Sequence, residues 1–230
     1  MSLKRSALVA SATAAALMAA ATAQAATIDF STPGGNGNVI LASDLFNVLS
    51  LTVDSAGSED TLITFDTNLA SAEDPDLVAP FDDPNTVGFD NETGLGSIAI
   101  ISESSTFVPP DDEASGGKVT FVFDKLVTLK STTFVDTKSG TVTLLDIDGV
   151  PLTINPFDIP DVDTDDTTNP NEFSTLVYGD ISGVKTMIIE LGESGGFDNI
   201  VFQPVPVPAA LPLFLAGVGG LVVARRKRQA

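Results

Sequence analysis

The stretches that decide the fold are KVTFVFD at residues 118–124 and TLKSTTFVD at 128–136, both rich in Val, Phe and Thr and broken by charged residues. β-Branched and aromatic side chains in short runs suit an extended, pleated backbone. The same texture extends in both directions: LFNVLSLTV (45–53), TLITFD (61–66) and GSIAIIS (96–102) on one side, and TVTLLDI (141–147), EFSTLVY (172–178), KTMIIEL (185–191) and FDNIVF (197–202) on the other. Many of these runs alternate, and Pro33-Gly34-Gly35, Asp148-Gly149, Ser182-Gly183 and Gly195-Gly196 read as turns between them. No long helical period appears. Nine or ten short strands predict an all-β chain, an antiparallel β-sandwich of jelly-roll type. TIDF (27–30) and FDNIVF are expected to be neighbouring strands that bring the ends of the domain together.

Composition narrows the chemistry. Among 230 residues there is no His, no Cys and no Trp, which excludes Ser-His-Asp and Cys-His nucleophile systems, thiolate or imidazole zinc sites and disulfides. The formal net charge of −20 divides unevenly. Lys4 and Arg5 sit at one end and Arg225, Arg226, Lys227 and Arg228 at the other. All 31 acids lie between residues 26 and 204 with only five lysines, so the body carries 5 − 31 = −26. Such a body repels nucleic acid, which is not expected as a partner.

Residues 1–25 have a cationic start, an Ala-rich apolar run and small residues at Ala23 and Ala25. This is the plan of a signal peptide, here expected as a helix, with an A-x-A-like site and cleavage before Ala26. It implies Sec-type export machinery and a signal peptidase as partners. Near the other end, residues 209–224 are uncharged and apolar and are followed at once by Arg225, Arg226, Lys227 and Arg228. Sixteen residues at about 1.5 Å each span roughly 24 Å, a short transmembrane helix aided by snorkelling of the basic side chains. The positive-inside rule keeps the basic cluster in the cytoplasm and places the body across the membrane.

Immediately before the apolar stretch stand Val205, Pro206, Val207, Pro208 and Ala209. This segment, the apolar run and the Arg-rich end together resemble the VPLPA variant of the bacterial PEP-CTERM sorting signals, with Val207 where the family motif has Leu. The resemblance implies recognition by an exosortase-like membrane protease and an inner-membrane-anchored state before sorting to the cell surface or outside. Pro206 and Pro208 lack backbone donors and bias the segment to an extended form that suits a protease. A Pro-rich linker to a permanent anchor would use the same residues. The body also resembles jelly-roll carbohydrate-binding-like domains of exported PEP-CTERM proteins, through Glu73–Leu77, GSIAIISE (96–103), LLDIDG (144–149) and GGFDNIVF (195–202).

Two acidic loops carry the candidate metal chemistry. The first, about residues 66–92, is long for a compact domain, so something other than a core is expected to hold it. Ca2+ takes six to eight oxygens and would offset the crowded acids. The candidate ligands are Asp66, Asp74 and Asp76, with Asp198 from the last strand; a solvated acidic loop is the alternative. In the second loop Asp161, Asp163, Asp165 and Glu172 have EF-hand ligand spacing, with Thr167 and Asn169 between. Asp166 replaces the turn glycine, Pro170 intrudes and the flanks are strand-like, so an acidic turn is the competing reading.

Three functions are compatible with these features. The first is a non-catalytic exported surface or matrix protein, acting at the envelope or in exopolysaccharide. The second is a calcium-dependent carbohydrate-binding module, against which stands the lack of Trp and the single Tyr. The third is a carboxylate-pair glycosidase, for which no pair stands out among the 31 acids.

Overall fold

The computed structural model describes residues 24–31, 36–57, 59–68, 77, 95–105, 107, 109–161 and 173–205. The expected signal helix, the sorting motif after Val205, the apolar stretch and the basic tail lie outside the described residues. So do Asp74, Asp76, Asp163, Asp165 and Glu172.

The strands are β1 (Ala26–Ile28), β2 (Val48–Ser55), β3 (Leu62–Asp66), β4 (Ser97–Ile101), β5 (Gly117–Val135), β6 (Gly140–Leu145), β7 (Phe157–Asp158), β8 (Phe173–Leu191) and β9 (Gly196–Pro204). The chain is all-β, and every pairing between these strands is antiparallel. The sheet runs β3-β4-β9-β5-β8-β6-β7, with β1 on β9 and β2 on β5. The expected neighbours at the two ends do pair, Ala26 with Phe202 and Ile28 with Ile200.

One expectation needs correction. The runs 118–124 and 128–136 form one 19-residue strand, β5, and the runs 172–178 and 185–191 form another, β8. Ser182-Gly183 is therefore a bend within a strand. Gly183 takes φ of +84°, and the β5–β8 register shifts between Val122 and Val127, where residues 123–126 have no register partner on β8, so both strands turn at this irregularity and pair again beyond it. The first half of β5 lies between β2 and β8, and its second half between β8 and β9.

The bend lets one sheet close over a single large core. Val119, Phe121, Phe123, Val127, Leu129 and Phe134 of β5 are all buried in it, beside Val184, Met187 and Ile189 of β8 and Phe197, Ile200 and Phe202 of β9. Phe197 is a hub: its ring meets those of Phe30 and Phe121 edge-on, at 5.7 and 6.0 Å. β3 and β4 are buried on both faces, which accounts for the near-continuous apolar run SIAII. Their second face holds a smaller cluster of Ile63, Phe65, Ile98, Ile100, Val135 and Leu77. Leu77 corrects a further expectation, because this residue of the first acidic loop is fully buried in that cluster and gives the loop an apolar anchor.

Candidate functional site

The positions where processing is expected come together at one end of the domain. Gln24 and Ala25 are exposed, Ala26 opens β1, and Ala26 pairs with Phe202 near the end of β9. Two residues after Phe202, Pro204 pairs with Val127, and the Val205 amide donates to the Leu126 carbonyl at 2.8 Å. The expected signal cleavage bond and the first residue of the expected sorting motif thus flank the same pair of strands.

The proposed metal ligands are placed differently. Asp66 closes β3, where its backbone amide donates to Asn36 Oδ1 at 2.9 Å and its own Oδ1 accepts from the Asn68 amide at 3.0 Å. Asp198 lies on β9 and is only 2% exposed. Its Oδ1 accepts from the Phe30 amide at 3.4 Å and its Oδ2 from Asn199 Nδ2 at 2.9 Å. Burial pushes its pKa up to about 7, hydrogen bonds from the backbone amides of Asn199 and Phe30 pull against that, and Asp29 adds a further upward push. β4 lies between the strands that carry Asp66 and Asp198. Asp161 is exposed, just after Pro160, whose carbonyl is held by Thr137 Oγ1 at 2.9 Å. Among the described residues no group of three or more acids is arranged to hold a metal ion.

A second set of buried acids is absent from the sequence expectations: Asp112 and Asp136 hold the β8–β9 turn, and Glu113 holds the turn that precedes β5. Asp112, Glu113 and Asp136 are 5%, 6% and 7% exposed. Asp112 Oδ2 accepts from the Gly195 amide, Asp136 Oδ2 from Ser194 Oγ, and Glu113 Oε1 from the Ser115 amide. Nearby Glu103 has its pKa raised, chiefly by Asp111, then by desolvation and by Glu113 and Asp112. Each buried acid has neutral donors, so these are turn-holding carboxylates. The stretch PPDDEASGG reads as a solvated loop; the bridge between Ser102 and Asp112, which buries it, is a tertiary pairing with no signal in the local sequence.

The buried Tyr178 also has a structural explanation. Its hydroxyl donates to Thr132 Oγ1 at 2.9 Å and its ring meets Phe157 edge-on at 5.1 Å. A cleft of about 360 Å3 lies between Val39–Ala42, Leu51–Val53 and Asp60–Leu62. It holds one carboxylate, Asp60, whose Oδ1 is already engaged by the Ser55 amide. Among the described residues that line it there is no second acid and no aromatic ring.

No protein-family model matches the chain, and no curated protein matches it at a significant level. Among solved structures, a mutant of the lectin binding domain of lectinolysin complexed with Lewis b is 9% identical with a TM-score of 0.27, over 40% of this chain and 67% of that one. The enzymatically active domain of bacteriophage CBA120 tailspike protein 4 is 15% identical with a TM-score of 0.33, over 67% of this chain and 19% of that one. Similarities of this size transfer neither the ligand nor the activity named in those descriptions.

Proposed function

We propose that the protein is a non-catalytic exported surface or matrix protein. In this reading a signal peptide delivers it, 209–224 anchors it in the inner membrane, and an exosortase-like protease processes it at Val205–Ala209. The carrying observation is the pairing of Ala26 with Phe202, with Val205 held beside Leu126. It brings both ends of the β-domain out together, as a domain tethered to one membrane at both ends before processing requires. The finer architecture assigned to the body is a jelly-roll sandwich.

Calcium belongs to this reading as a structural ion. Asp198 supports it, being a buried carboxylate whose hydrogen-bond partners are neutral and whose desolvation a cation would offset. The described residues supply too few oxygens by themselves, so the site would draw on the first acidic loop.

Mass spectrometry of the mature protein tests the route. The expected ends are Ala26 and a residue within Val205–Ala209. Fully exported material that still ends at Ala230 would overturn the processing step, and retention of residues 1–25 would overturn the signal peptide.

A further inference from the structure

The two ends of the bent sheet expose different side chains. At one end Val48, the first residue of β2, pairs with Phe123, while Val122 pairs with Thr186 and Thr186 with Leu145, the last residue of β6. The segment before β2 and the turn after β6 therefore share an end. The chain leaves the domain there too, since Pro204 pairs with Val127 and Val205 bonds to Leu126. That end exposes Phe46 at 62%, Leu49 at 62%, Ile147 at 64% and Val150 at 55%. The Phe46 ring lies over Phe202, with centroids 6.2 Å apart and planes 22° from parallel. Asp146 Oδ1 accepts from the amides of Asp148 and Val150 at 2.9 and 2.8 Å, which fixes the turn that presents Ile147 and Val150. At the far end of β5, Gly117 pairs with Leu191, and the exposed neighbours there are polar, among them Lys138 and Glu193.

Connectivity says what covers the apolar end. From Val205 to Ala209, where the apolar stretch begins, is four residue steps. Fully extended they reach about 14 Å, and the headgroup layer itself takes about 5–7 Å of that. We propose that this end of the domain is a membrane-contact face, with Phe46, Leu49, Ile147 and Val150 dipping into the headgroup region of a phospholipid bilayer while the anchor is in place. The proposal rests on the anchor reading of 209–224. Exposed apolar side chains gain by burial at the boundary between headgroups and acyl chains. Local charge is mixed, with Lys125 and Lys185 beside Asp124, Asp146 and Asp148, so the contact is apolar and needs no anionic lipid. A few exposed side chains bind a bilayer weakly alone; the short tether supplies the effective concentration, and cleavage removes it. The face therefore holds the domain down only until processing.

The chain has no Trp, so one introduced indole reports alone. The exported chain, Ala26–Ala230, carrying F46W would be reconstituted into phosphatidylcholine vesicles whose acyl chains are brominated near the headgroup. The control is E193W at the opposite end, and I147W serves if F46W does not fold. Flotation with the vesicles is read first, then emission. The expected result is co-flotation, with F46W emission falling by about half and E193W emission nearly unchanged. Co-flotation without quenching of F46W, or with equal quenching of both, overturns the membrane-contact face and leaves the anchor intact. Failure to float overturns the anchor reading, and the face falls with it.

Discussion

Asp198 shows how much one side chain's setting departs from its letter. FDNIVF marks it as an acid on a terminal strand. The structure adds an irregularity within β9 at Asn199, which takes φ of +50° where the β5–β9 register shifts, and buries the neighbouring carboxylate beneath the Phe30 amide. A carboxyl whose pKa is about 7 when folded, against an ordinary value of 3.8, holds its proton more tightly in the folded state. Its stabilising contribution is complete below about pH 4 and is lost as pH rises through 7, on the order of a few kcal/mol in all. D198N cannot titrate. Melting temperatures measured from pH 4 to 8 should therefore fall with pH more steeply for the wild type than for D198N, and parallel curves would contradict the assignment.

At the scale of elements, glycines divide into those that bend a strand and those that another backbone presses against. Gly183 has φ of +84° with nothing within 4 Å of an added Cβ. Gly195 has φ of +132°, and an added Cβ would lie 2.7 Å from the Asp136 carbonyl oxygen and 2.9 Å from that of Val135. Gly183→Ala should cost about 1 kcal/mol of conformational strain, and Gly195→Ala about 3 kcal/mol or more, because the backbone oxygens cannot move aside. Urea denaturation of the two variants measures the difference; equal losses would mean that the turn re-forms. From sequence both positions look like turns. Only Gly195 is one, since what makes Gly183 a bend is the length of strand β5 alongside it, a non-local partner.

For the whole molecule the governing quantity is the charge of −26 on the body. Self-repulsion among exposed acids destabilises the compact state and is screened within about 8 Å at physiological ionic strength. The melting temperature should rise by several degrees between about 10 and 150 mM NaCl and then level off. Millimolar Ca2+ at fixed ionic strength should raise it further than Mg2+ does if the ion is bound at a site. Equal effects of the two ions would leave screening alone.

The all-β class, most strand positions and the pairing of the two ends were legible in the sequence, because strand texture and turn residues are local properties. The expected signal peptide at 1–25 and sorting signal at 205–230 rest on the same kind of short-range pattern, as does the partition of charge. The tertiary structure decided what depends on distant partners. It fused four apparent strands into two bent ones, buried Leu77 of the first acidic loop in an apolar cluster, and turned Asp112 and Asp136 into the supports of the β8–β9 turn. It also gathered Phe46, Leu49, Ile147 and Val150 at the end where the chain leaves the domain. Residues 46 and 150 carry no mutual signal in the chain. Their placement at the same end comes from the register β2-β5-β8-β6, which is set by burial of alternate side chains in a shared core.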